Sequence, residues 1–155
     1  MAMIKTKIIN NFLPVDLLTR TYHYCLYECP HYLNQSSTET SPKFYSCDLN
    51  FEHSLIKLII NKIKTVSNYN IIRAYLNIQY HGMSGDWHTD DGDITILYML
   101  SPTLKKEEGC FEIKNEKKIN FVQNKLIIFD AKKVHKGNDP KGKKARITMA
   151  FKMKT

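Results

Sequence analysis

The sequence predicts a mostly β fold, an antiparallel jelly roll with N-terminal helices supporting one sheet. Three observations predict it. From Asn70 onward the chain breaks into about eight short strand-like runs, parted by turn residues such as Gly82, Gly85, Gly92, Asn124 and Asn138–Gly142. The earlier part instead looks helical in two places, one marked by start and stop signals and one by an apolar stripe with helical spacing. No helix-length segment lies between the later strands, which argues against a doubly wound sheet. Residues 1–155 therefore read as one domain, with 1–69 a helical support layer and 70–155 the jelly-roll core.

Taken in order, Leu17–Cys29 follows Pro14 and Asp16, both good helix-start signals, and stops before Pro30. Asn34–Pro42 (NQSSTETSP) is polar and turn-rich and reads as an exposed loop. Leu55–Val66 places Leu55, Ile56, Ile59, Ile60 and Ile63 on one helical face. The strand candidates are Ile71–Tyr80, Asp86–Asp90, Ile94–Leu100, Cys110–Ile113, Lys117–Phe121, Lys125–Phe129, Val134–Lys136 and Arg146–Met153.

The longest apolar runs, such as Leu126–Phe129, fall far short of the ~18 residues of a membrane span, so no membrane partner is expected. The first residues lack the apolar stretch and cleavage site of a signal peptide, and a cytoplasmic protein is expected. Cys25, Cys29, Cys47 and Cys110 fit no zinc or redox spacing and read as buried thiols. The net charge of +8 is uneven: residues 1–113 hold 10 Lys and Arg against 12 Asp and Glu, whereas residues 114–155 hold 13 against 3. That asymmetry suits either a solvated lysine-rich surface or an acidic partner, nucleic acid included. Few aromatics interleave with these lysines, which weakens the case for stacking on single strands.

The chemistry centres on Trp87–Asp90 (WHTD). On a strand, His88 and Asp90 would share one face, because side chains alternate. His135, beyond the apolar run Leu126–Phe129 and a short turn, is the available third ligand. Two histidines and one carboxylate on one octahedral face leave three positions open, as non-haem Fe(II) oxygenases require. A plain surface turn at Asp90–Asp93 would explain the acidic cluster without a metal, and His-x-Asp alone does not decide between them. His23, His31, His53 and His81 read as surface or packed side chains. Eleven residues after His135, Arg146 opens the last apolar strand with Thr148 on the same face. A guanidinium fork beside a hydroxyl suits the far carboxylate of a dicarboxylate.

These pieces together resemble the prolyl 4-hydroxylase-like branch of the Fe(II)/2-oxoglutarate dioxygenases, in its short viral and bacterial form. The resemblance runs through Arg73–Tyr80 (RAYLNIQY), His88–Asp90, Thr95–Ser101 (TILYMLS), Glu108–Ile113 (EGCFEI), Leu126–Gly137 (LIIFDAKKVHKG) and Arg146–Lys152 (RITMAFK), with a weaker likeness in Ile8–Asp16. It implies a double-stranded β-helix, a cupin-like jelly roll, with His88, Asp90 and His135 as iron ligands. It also implies Arg146 and Thr148 at the far carboxylate of 2-oxoglutarate, and Thr95 as a further cosubstrate contact. Thr95, Leu97 and Met99 are expected to face inward and Tyr98 away. Tyr80, Gln79, Met99, Leu97 and Lys152 are further candidates for lining the pocket, Tyr80 and Gln79 competing for the position of the family's tyrosine. Two departures stand out: Met99 occupies a position where the family often has tyrosine, and Gly109-Cys110-Phe111 replaces its usual Gly-Gly-Glu.

The resemblance implies Fe(II), 2-oxoglutarate and O₂ as cofactors, with ascorbate as a stimulant, and oxidation of a substrate C–H bond with release of succinate and CO₂. A peptidyl proline in a peptide or protein is the expected substrate. One rival within the fold is an alkylated-base demethylase of nucleic acid, since Arg146–Lys152 loosely resembles that group's closing Arg…Arg motif and the basic C-terminal third suits phosphates. A rival of another class is a catalytically silent metal-binding jelly-roll domain, for which Arg146 has no evident use.

Overall fold

The computed structural model describes residues 4–155; residues 1–3, the start of the segment read as carrying no signal peptide, lie outside the described residues. The elements in chain order are β1 (Lys7–Ile9), α1 (Val15–Tyr27), β2 (Tyr32–Gln35), β3 (Phe44–Asp48), α2 (Ser54–Lys64), β4 (Asn70–Gln79), β5 (Ile94–Met99), β6 (Phe111–Ile113), β7 (Lys125–Asp130), β8 (His135–Gly137) and β9 (Arg146–Lys154). Seven strands form one antiparallel sheet in the order β1-β7-β5-β9-β4-β3-β2, and β6 pairs with β8 in a second, smaller sheet. This is the mostly β jelly roll with supporting helices that the strand texture predicts. No helix among the described residues is long and apolar enough to cross a membrane.

The two faces of the large sheet have different partners, and strand alternation sorts the side chains between them. On β5, Ile94, Ile96 and Tyr98 join the helix-side core, while Leu97 and Met99 join a separate inner cluster. On β9, Ile147, Met149, Phe151 and Met153 face the helices, while Ala150 belongs to the inner cluster. The helix-side layer is closed by α1 and α2, whose stripe of Leu55, Ile56, Ile59 and Ile63 is buried. Each such side chain contributes roughly 1.5–3 kcal/mol relative to exposure. Helix α2 carries Lys62 and Lys64 in its last turn, where they suit the negative end of the helix dipole. With one face of the sheet packed against helices, the inner face is free to line a cavity.

Three features differ from the sequence expectation. Residues 1–69 add β1, β2 and β3 to the large sheet as well as supplying two helices. Asn34 and Gln35, read as loop, end β2, and the turn begins after them. Asp86–Asp90 and Lys117–Phe121 form no strands; each is reduced to one bridge, His88 with His135 and Ile119 with Phe111. Both segments lie beside the two three-residue strands of the smaller sheet, which offer too little backbone to extend a ladder.

Asn124 pins the N-terminal segment to this frame. It sits at φ 65 and is buried. Its Oδ1 accepts from Leu13 N and from the Tyr98 hydroxyl, both at 2.8 Å, and its Nδ2 donates to Leu13 O at 2.8 Å. Asn124→Ala strands these groups, at roughly 1–3 kcal/mol for each one left unpaired. It also puts a Cβ without asparagine's local hydrogen bonding into the left-handed region. We expect a loss of about 3 kcal/mol or more by urea unfolding; a loss under ~1 kcal/mol would contradict this role.

Candidate metal centre

Two reciprocal backbone hydrogen bonds, His88 N to His135 O at 3.0 Å and His135 N to His88 O at 2.9 Å, set the two histidines side by side. Their ring centroids are 4.4 Å apart. Asp90 is anchored by its own N–H to Ala131 O at 2.8 Å. The potential ligand atoms of His88, Asp90 and His135 all lie within 4.8 Å of one another. His88 Nε2 is 3.6 Å from Asp90 Oδ1, and His135 Nε2 is 3.3 Å from Asp90 Oδ2. The pair therefore converges without the regular strand that sequence alternation assumed.

The far sides of both rings are tied down. His88 Nδ1 meets Asp86 O and His135 Nδ1 meets Lys133 O, each at 2.8 Å. A carbonyl only accepts, so each Nδ1 donates outward, and each Nε2 is the ring nitrogen left facing the cluster. This is the outer-shell pattern of metal-binding histidines. Burial lowers the His88 pKa, and the nearby His135 adds to the effect, which favours the neutral, ligating form. For Asp90 burial works against charge, but His135 and Lys152 outweigh it and hold the carboxyl well below the usual range. Its side chain is only 8% exposed, yet it is an anion at neutral pH.

A cavity of about 330 Å³ runs from this cluster to Arg146. The β4–β9 register builds its wall: Gln79 lies opposite Arg146, Asn77 opposite Thr148, and Tyr75 opposite Ala150. Arg146 is 3% exposed, donates from Nε to Gly109 O at 2.8 Å and from Nη1 to Gln79 Oε1 at 2.6 Å, and pairs with no carboxylate among the described residues. Gly137 lies against the guanidinium so closely that a Cβ there would come within 3.0 Å of Nη2. Burial lowers the Arg146 pKa to about 10, which leaves it charged at neutral pH. Its Nη2 and the Thr148 hydroxyl are both buried without a partner. A buried cation and a buried hydroxyl, each with hydrogen-bonding capacity to spare, fit one end of a carboxylate ligand.

The other sequence candidates fall into three groups. Thr95, Leu97, Gln79 and Lys152 line the same cavity, but the Thr95 hydroxyl donates to Asp90 Oδ2 at 2.7 Å and Lys152 Nζ also contacts that oxygen. Tyr80 does not line it: it is 43% exposed and lies edge-on to Tyr45, because strand alternation turns Gln79 inward instead. Met99 does not line it either; it is fully buried, and its sulfur accepts from Val122 N at 3.4 Å. The sequence reading missed Tyr75, Asn77, Phe111 and Phe129, all of which line the cavity. Counting back by twos from Gln79 along β4 would have found Tyr75 and Asn77.

Outside the site, His81 meets Asp139 at 3.1 Å, and all four cysteines are buried and free. The segment after β2 closes one side of the cavity with Ser36 and Ser37. It rests on Gly85, where a Cβ would come within 2.4 Å of Ser37 Oγ, and Thr38 donates to Asp86 at 3.2 Å.

No family model matches the chain, and no curated protein matches it in sequence. Solved structures do match. The viral collagen prolyl hydroxylase of Paramecium bursaria Chlorella virus-1, in its 2-oxoglutarate complex, aligns with a TM-score of 0.73 at 16% identity over 94% of this chain and 93% of that one. A Trichoplax adhaerens prolyl hydroxylase bound to a peptide fragment of hypoxia-inducible factor aligns at 0.68 and 17% identity, over 94% and 82%. The non-haem α-ketoglutarate-dependent epimerase SnoN of nogalamycin biosynthesis aligns at 0.74 and 7% identity, over 94% and 76%. At these identities the likeness establishes the shared jelly-roll fold.

Proposed function

We propose that this chain is a 2-oxoglutarate-dependent oxygenase, with Fe(II) held by His88, Asp90 and His135 and 2-oxoglutarate anchored by Arg146 and Thr148. One observation carries the reading: a buried arginine with no carboxylate partner shares its cavity with a two-histidine, one-carboxylate cluster. A structural metal site has no use for that cation, whereas a dicarboxylate that also binds the metal does. When bound, Fe(II), 2-oxoglutarate and O₂ supply the oxidation that turns a C–H into a C–OH, with succinate and CO₂ as the other products.

The chain's own residues bind, orient and exclude water. Backbone carbonyls of Asp86 and Lys133 fix the two imidazoles; Arg146 and Thr148 fix the far carboxylate; Leu97, Phe111 and Phe129 give the cavity apolar walls. Half-exposed Ile72 also lines the cavity, as does Tyr75, which lies beneath Arg73. We assign a peptidyl proline as the substrate. Support comes from the prolyl hydroxylases among the structural matches, one of them holding a peptide.

The test is succinate release by the Fe(II)-loaded protein, screened with proline-containing peptides and with alkylated DNA. We expect peptide-stimulated succinate and a +16 mass shift on proline. Loss of methyl from DNA would replace the proline assignment with demethylation. No 2-oxoglutarate turnover under any condition would overturn the oxygenase reading.

A further inference from the structure

Thr95 and Lys152 are paired across the β5–β9 ladder, so both side chains project into the cavity from directly opposed positions. Both are buried, at 2% and 7% exposure. They converge on one oxygen: Asp90 Oδ2 accepts from Thr95 Oγ1 at 2.7 Å and contacts Lys152 Nζ. Oδ1 has neither donor and lies 3.6 Å from His88 Nε2, while Oδ2 is also 3.3 Å from His135 Nε2.

A carboxylate on a short side chain has a broad terminal torsion and can turn either oxygen, or both, toward a cation. Binding through both oxygens would take up a position that a chelating cosubstrate and O₂ need. Two donors on the same oxygen remove that freedom. The geometry points to Thr95 and Lys152 as positioning residues for Asp90: they engage Oδ2, leave Oδ1 as the oxygen offered to the metal, and set a fixed positive charge beside that ligand. The inference rests on the reading of Asp90 as a metal ligand.

The two residues contribute differently. Thr95 is neutral and acts by direction alone. Lys152 adds a charge; besides Asp90, the charged groups that act on it are Arg73 and Asp91, toward the mouth. A buried cation next to a metal ligand disfavours raising the metal's charge from +2 to +3, so it favours the divalent ion.

The test uses the full chain, freed of metal and titrated anaerobically with Co(II), read by visible absorption. Outer-shell partners of metal ligands cost about 10–100-fold in metal affinity when removed, and we expect Thr95→Val to bind Co(II) that much more weakly. Thr95→Ser, which keeps the hydroxyl, should restore wild-type affinity and spectrum. In a mediated redox titration of the iron-loaded protein, Lys152→Met should lower the Fe(III)/Fe(II) potential and Lys152→Arg should return it. Near-UV circular dichroism checks the fold of all four variants. Wild-type affinity and spectrum in Thr95→Val, failure of Thr95→Ser to rescue, or an unlowered potential in Lys152→Met would overturn the inference. Failure of the wild-type protein to bind Co(II) at all would instead overturn the metal reading beneath it.

Discussion

Asp90→Ala should lose both turnover and stability, and Asp90→Asn should lose turnover with a smaller loss of stability. Asp90 is the one carboxylate in the cluster, and the Lys152 ammonium is buried against it. Truncation to alanine removes the anionic ligand and leaves that cation without a counter-ion in a cavity it shares with Tyr75 and Thr95. Breaking a buried pair by removing one partner costs about 3–5 kcal/mol. For a domain of this size, that corresponds to a fall of roughly 6–20 °C in Tm. Asparagine keeps the volume and an oxygen that can accept from Thr95 and Lys152, so less stability is lost. It carries no charge for the metal, and 2-oxoglutarate-dependent succinate formation should still fall to background. The checks are thermal unfolding and succinate release on both variants. Substantial turnover by Asp90→Asn would remove Asp90 from the ligand set, whatever the stability of the alanine variant.

The parts of this molecule that sequence reveals are those set by local pattern. The stripe Leu55, Ile56, Ile59 and Ile63 predicts α2 because a period of 3.6 has no other good solution, and alternation along Arg146–Met153 predicts β9. The same alternation sorted Thr95 and Leu97 from Tyr98, and Gln79 and Arg146 then met across the β4–β9 ladder. What escaped depends on pairing between distant segments. Strand β1 spans only three residues and exists through its ladder to β7, about 120 residues away, so its own sequence carries little signal.

The converse error has the same root. Asp86–Asp90 reads as a strand, but its neighbours Gly85, under Ser37, and Ala131, accepting from Asp90 N, bend it across the smaller sheet with a single bridge. Tyr80 and Gln79 compete for one position because the register of the turn at Gly82 is invisible in one sequence. In the fold the strand ends at Gln79 and carries Tyr80 outward. The hydrogen bond from Thr95 to Asp90 is invisible in the sequence because a hydroxyl's partner depends on distances that no spacing encodes.

Arg146→Met should weaken 2-oxoglutarate binding severely while leaving most of the fold's stability intact, the reverse of the balance expected at Asp90. In the free protein the guanidinium is desolvated without a compensating anion, and replacing a buried charge by an apolar side chain of similar length is often neutral. The change does strand Gly109 O and Gln79 Oε1, the two acceptors it now serves, so a modest loss of about 1–3 kcal/mol is expected. Binding is another matter. Truncating one member of a buried, hydrogen-bonded charge pair costs about 2–5 kcal/mol, which is roughly 30- to 4,000-fold in affinity. Arg146→Lys keeps a charge but not the fork that serves Gly109, Gln79 and the ligand at once, and should fall between. A thermal-shift series separates these effects: 2-oxoglutarate at a hundred times the wild-type Kd stabilises the wild-type protein by about 2.7 kcal/mol, and the same concentration should stabilise Arg146→Met by less than ~1 kcal/mol. Co(II) binding should survive in Arg146→Met, because Arg146 touches none of the three metal-facing side chains. An undiminished 2-oxoglutarate shift in that variant would mean that the cosubstrate's far carboxylate is held elsewhere.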